Sequence, residues 1–208
     1  MVGFSEKAHQ LGFSRFSDIP EHLVYEEWDG VPILYKGIKE YALQNYNLDH
    51  LEMGSSIFQS LIVEFILGQL YGGINRKIYA IVTNELGLHL GYRNNLSNDI
   101  AIIERNRIQN KRSVKYATVP PKVAIEVDVR ADYEQEFESF NDYINQKTQK
   151  LLDFGVEKVF WVTTKTRKIF MATQNQNWVI MDWDSTIEVM ENCNINLKEM
   201  LDEEEINY

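Results

Sequence analysis

The chain has 208 residues, 44% of them apolar and 25% charged, which excludes a disordered polymer and suits one domain with a full core. Its formal net charge of −10 argues against a protein that coats nucleic acid without specificity, because phosphate neutralisation needs a basic footprint. The single cysteine, Cys193, leaves no internal disulfide and no thiolate metal cluster.

The opening MVGFSEKAHQLGFSRFSDIP lacks the apolar centre of a signal peptide. The longest apolar segment, LIVEFILGQL, is too short to span a bilayer and contains Glu64. A soluble, cytoplasmic protein without membrane contact is therefore expected. No linker composition and no internal repeat break the chain, so residues 1–208 read as a single domain.

In chain order, LVYEEWDGVPILYKG predicts a short strand unit turning at Asp29-Gly30. SSIFQSLIVEFILGQLYGG predicts a helix capped by Ser55 or Ser56 and stopped by Gly72-Gly73, with Ile57, Phe58, Leu61, Ile62 and Phe65 as its apolar face. Strands are expected over residues 77–83, 86–92 and 99–104, and KVAIEVDVRAD, residues 122–132, follows as a fourth. EFESFNDYINQKTQKLLDFG predicts a second helix ending at Gly155. KVFWVTT, KIFMAT and WVIMDW are further strands with TKTR and QNQN as turns, and a short helix covers residues 196–201. Strands clustered between helices indicate an α/β or α+β sandwich, a mixed central sheet flanked by helices.

Two features of this order point to chemistry. In KVAIEVDVRAD, alternation puts Glu126 and Asp128 on one strand face, where paired carboxylates repel unless water or a cation lies between them. In the second helix, Phe137, Phe140, Ile144, Leu151 and Phe154 make a buried stripe, and Lys147 occupies the position that completes it. A lysine there either snorkels to solvent or meets a carboxylate of the sheet. Asp99, Glu126, Asp128 and Lys147 then form one coherent set. Carboxylates at adjoining strand ends suit Mg²⁺ or Mn²⁺, and a lysine can orient the water that attacks phosphorus. The run ERNRIQNKRSVKY adds Arg105, Arg107, Lys111, Arg112 and Lys115 against one acid, either a solvated loop or a phosphate-contacting one placed beside the site.

The segments SNDIAII, PPKVAIEVDVRAD and INQKTQKLLDFGVEKVFWVTTKTRKI resemble the Uma2 family of endonucleases (DUF820), within the PD-(D/E)XK nuclease superfamily. YEEWDGV, residues 25–31, resembles the family's early Tyr-Glu and Asp-Gly segment, so the likeness covers about residues 25–185, leaving 186–208 as a short helix and acidic tail. The resemblance implies a restriction-endonuclease-like fold and magnesium-dependent hydrolysis of DNA. On it, Asp99 stands for the first metal-binding aspartate, with Asn98 in place of the usual proline, and Glu126 for the second acid. Val127 would add its carbonyl to the metal, and Lys147 would be the migrated catalytic lysine. Asp128 departs from the pattern and is expected as an extra ligand or a partner for Lys147; Glu64 is a further candidate acid from the first helix. A nuclease of this kind that cuts both strands is expected to be a two-fold homodimer. The rival readings are a binding or regulatory module without chemistry, and a buried ion network serving structure alone.

Overall fold

The structure, a computed structural model, describes residues 18–38, 55–128, 137 and 139–207. In chain order its elements are β1 (Val24–Trp28), β2 (Val31–Leu34), α1 (Ile57–Gly73), β3 (Tyr79–Gly91), β4 (Asn94–Glu104), β5 (Val123–Val127), α2 (Phe140–Phe154), β6 (Lys158–Thr163), β7 (Lys168–Thr173), β8 (Val179–Asp182), β9 (Ile187–Met190), β10 (Cys193–Ile195) and α3 (Leu197–Glu203). Backbone proximity groups the chain into two compact units, each visited more than once by the chain.

One unit holds the β1–β2 hairpin, the start of β4 and the start of α2. Asp29 and Gly30 close the hairpin with φ of 51° and 90°, the two left-handed residues that a type I′ turn requires. Within this unit Trp28 stacks on Tyr143 at 5.3 Å between ring centroids. Glu26 is buried, and its carboxylate accepts from the Ser97 N–H and Trp28 Nε1, each at 2.9 Å, and from the Tyr143 hydroxyl at 3.2 Å. A carboxylate in such a place is tolerated only because donors replace its water.

The other unit contains α1, the rest of β4 and α2, and everything from β5 onward outside α2. Its sheet runs β4-β5-β6-β7-β8, with β3 on the other edge of β4. Only the β5–β6 pair in this run is parallel, and α2 is the crossover that parallel neighbours need. Both faces of β5 are buried. Val123, Ile125 and Val127 cluster with Ile62, Ile66 and Leu70 of α1 on one face.

Several expectations shift. The buried face of α1 is Gln59, Ile62, Ile66 and Leu70, while Ile57 is 82% exposed. The helix is apolar almost all round, so its pattern alone did not fix which stripe faces inward. Ser56, not Ser55, caps it, accepting from the Gln59 N–H at 3.1 Å. The separate strands expected over 77–83 and 86–92 are the single strand β3, which passes through left-handed Asn84 and Glu85 at φ 70° and 53°. The β9–β10 hairpin was not anticipated, and Val129 to Asp132 of the fourth expected strand lie outside the described residues. Among the described residues no helix is long and apolar enough to cross a membrane.

Candidate functional site

Alternation along β5 turns Ala124 and Glu126 away from α1 and towards α2. Glu126 stands beside Trp161 in the parallel β5–β6 register, and Trp161 Nε1 donates to Thr148 Oγ1 of α2 at 2.8 Å. Lys147, the neighbour of Thr148, therefore enters on the same face. Its Nζ lies 3.1 Å from Glu126 Oε1, with side-chain exposures of 0% and 1%. The ammonium also sits 5.4 Å from the centre of the Trp161 ring. Asn98, fully buried, donates from Nδ2 to the same Glu126 oxygen. Its own Oδ1 is buried without a hydrogen-bond partner.

Asp99 is held differently. The β4–β5 ladder ends at the Ile100–Ile125 pair, and Asp99 Oδ2 accepts from the Val127 N–H at 2.8 Å. A carboxylate thus takes over where the backbone ladder stops. Thr83 Oγ1 donates to the Asp99 carbonyl at 2.8 Å, so the β4 backbone is fixed at this residue from β3 as well. The Val127 carbonyl accepts from Gln59 Nε2 of α1 at 2.5 Å. Both backbone groups of Val127 are therefore held by side chains.

Asp99, Glu126, Val127 and Lys147 thus meet at one end of β5. The cluster is buried, not an open pocket: Asp99 is 6% exposed and Glu126 1%. Asp128 is not part of it. Strand β5 ends at Val127, Asp128 turns to φ 58°, and its carboxylate accepts from the Thr164 N–H at 2.7 Å and Thr164 Oγ1 at 2.6 Å. Period-two alternation no longer applies once the strand has ended, which is why Asp128 does not share the face of Glu126. Glu64 is exposed on α1, and Gln59 is the polar side chain that this helix sends to the site. The spacing 59, 62, 66, 70 carried that signal.

The basic run begins at the far end of β4 and returns along β3, where the Ala117 N–H donates to the Gly87 carbonyl. It leaves β4 at Glu104, and antiparallel pairing puts that end of β4 away from the Asp99–Val127 end. Arg105 is partly buried, with Nε donating to the Arg76 carbonyl at 2.6 Å and the Tyr79 carbonyl at 3.0 Å. Arg107, Lys111, Arg112 and Lys115 are exposed.

Among the described residues no group of three or more His, Cys, Asp or Glu side chains could hold a metal. A cation at this cluster would rest on Asp99 and Glu126 with neutral oxygens added. The Val127 carbonyl and the unpartnered Asn98 Oδ1 are such oxygens. An all-oxygen set of this kind fits Mg²⁺ or Mn²⁺ rather than a softer metal.

No family model matches the chain, and no curated protein matches it. Among solved structures it is similar to a protein from Anabaena variabilis described as a "putative nuclease belonging to DUF820", at 16% identity and a TM-score of 0.61, covering 90% of this chain and 96% of that one. The mixed sheet with its flanking helices is the fold of that DUF820 protein.

Proposed function

We propose that this chain is a metal-dependent endonuclease that hydrolyses phosphodiester bonds in DNA. The observation that carries the reading is the buried Lys147–Glu126 pair at 3.1 Å, beside Asp99 where the β4–β5 ladder ends. Burying an ammonium and a carboxylate together is costly, and a hydrophobic pair would often serve stability as well, so a chemical role accounts for their presence better than architecture does. Asp99, Glu126 and the Val127 carbonyl would hold Mg²⁺ or Mn²⁺, which supplies Lewis acidity to a phosphoryl oxygen when bound. Lys147 orients the attacking water and offsets charge developing on the phosphate. Asn98 fixes the Glu126 carboxylate through its amide N–H, and Gln59 fixes the Val127 carbonyl.

A second reading, a nuclease-like binding module without chemistry, is favoured by one observation: Lys147 and Asn98 both engage the same Glu126 oxygen. Calorimetric titration with Mn²⁺, together with cleavage of plasmid DNA, separates the two. The nuclease reading expects saturable binding that Glu126→Ala abolishes, and cleavage that follows it. Metal uptake that is equal in both proteins puts the cation elsewhere, and no uptake by either favours the binding module.

A further inference from the structure

The basic segment after β4 is anchored at both of its ends to β3. At its start, the Arg105 N–H donates to the Ile78 carbonyl at 2.8 Å, while its guanidinium Nε bonds the Arg76 and Tyr79 carbonyls. This pins the segment to the turn before β3 and brings the exposed Arg76 and Lys77 alongside it. At its other end the Ala117 N–H donates to the Gly87 carbonyl at 2.8 Å, and Ala117 bridges Leu88 in the parallel sense. Residues 105–117 therefore run alongside Ile78 and then β3 as far as Gly87, nine residue steps and at most about 30 Å.

Arg107, Lys111, Arg112 and Lys115 are exposed along this path, and the sequence from 105 to 117 contains no acid. Glu104 stands at its base. Clustering exposed cations in a chain of net charge −10 is unfavourable by itself and becomes favourable beside a polyanion. Tyr116, 56% exposed, closes the end of the path over Gly87, where a Cβ would stand 2.4 Å from the tyrosine ring. Gly87 leaves room for that ring, and an exposed ring among cations is a surface on which a base can stack.

We propose that residues 105–117, with Arg76 and Lys77, form a track for the phosphate backbone of a nucleic-acid strand. At about 3.4 Å per nucleotide along one strand, its length matches roughly nine nucleotides. The track begins about 20 Å along β4 from Asp99, and its course beside β3 passes Thr83, whose hydroxyl donates to the Asp99 carbonyl, so it leads back towards the level of Asp99. The choice of nucleic acid among polyanions rests on the endonuclease reading above.

The test is fluorescence anisotropy with labelled 30-nucleotide single strands and duplexes in EDTA, where no metal chemistry occurs. The wild-type protein binds, and the Lys111→Gln/Arg112→Gln/Lys115→Gln protein binds at least tenfold more weakly. Its slope of log affinity against log salt is shallower by roughly 2 to 3, the contribution of three phosphate contacts. Gly87→Val, which changes no charge, also weakens binding by displacing Tyr116. A triple variant that binds like wild type overturns the track while leaving the Mn²⁺-binding reading intact. Wild-type protein that binds heparin or phosphatidylserine vesicles but no oligonucleotide overturns the track and the DNA substrate together. A difference between single strands and duplexes identifies which form the track accepts.

Discussion

Lys147 Nζ and Glu126 Oε1 stand 3.1 Å apart with almost no solvent on either side chain, so each is the other's main compensation for lost hydration. Removing one charge therefore takes from the other its ion-pair contact in a buried place. Lys147→Met keeps the apolar stem of the helix stripe and should cost roughly 3–5 kcal/mol in urea unfolding at neutral pH. The Lys147→Met/Glu126→Gln double variant should recover most of that loss. If Lys147 also acts in catalysis, Mn²⁺ binding should persist in Lys147→Met while DNA cleavage falls by a factor on the order of 10² or more. Cleavage at the wild-type rate would remove Lys147 from the mechanism.

The inward face of α1 can be read by a pair of substitutions. Gln59→Leu leaves the Val127 carbonyl without its donor, at a cost of about 1–3 kcal/mol. Glu64→Gln, on the exposed face, should change stability by less than about 0.5 kcal/mol and leave metal response untouched. Equal effects at the two positions would contradict this orientation of the helix.

Asp128 is expected to matter for architecture and not for metal. Asp128→Ala loses both bonds to Thr164 and keeps the left-handed backbone, so it should destabilise by roughly 1–3 kcal/mol. Asp128→Asn, which tolerates that φ and retains an acceptor oxygen, should cost clearly less. Mn²⁺ affinity measured by calorimetry should be the same in both variants once folded.

Burial raises the Cys193 thiol above its ordinary pKa. The stability that this contributes is fully present below the thiol's unfolded-state pKa and is lost as pH rises towards the raised folded value. The stability difference between wild type and Cys193→Ala should therefore shrink from pH 8 to pH 10 in urea melts. Lys122, raised chiefly by its hydrogen bond to Glu157, also loses its contribution at high pH, but equally in both proteins. Alkylation of Cys193 by iodoacetamide should be slow until the protein unfolds.

Most of the strands, the Asp-Gly turn and the inward course of Lys147 were legible in the sequence because each rests on local periodicity or turn chemistry. Lys147 stood out because a charge interrupted an apolar stripe. Gln59 did not, because α1 is apolar on nearly every side and the competing stripe through Ile57 looked equally good. Asp128 was misplaced because a strand's end is set by the left-handed turn and by Thr164, 36 positions along the chain. The course of the basic run could not be read from its position in the sequence, because the β4–β5 register and the anchoring to β3 decide where it lies.

The indole of Trp161 has its ring centre 5.4 Å from the Lys147 ammonium and its N–H bound to Thr148. It is fully buried, so bulk solvent does not set its emission. A charge that close to the ring shifts the energy of its excited state, and any change in that charge's position changes the shift. Trp161 is thus an optical gauge built into the fold: its fluorescence should report whether Lys147 stays with Glu126 or is drawn aside, in real time and without a label.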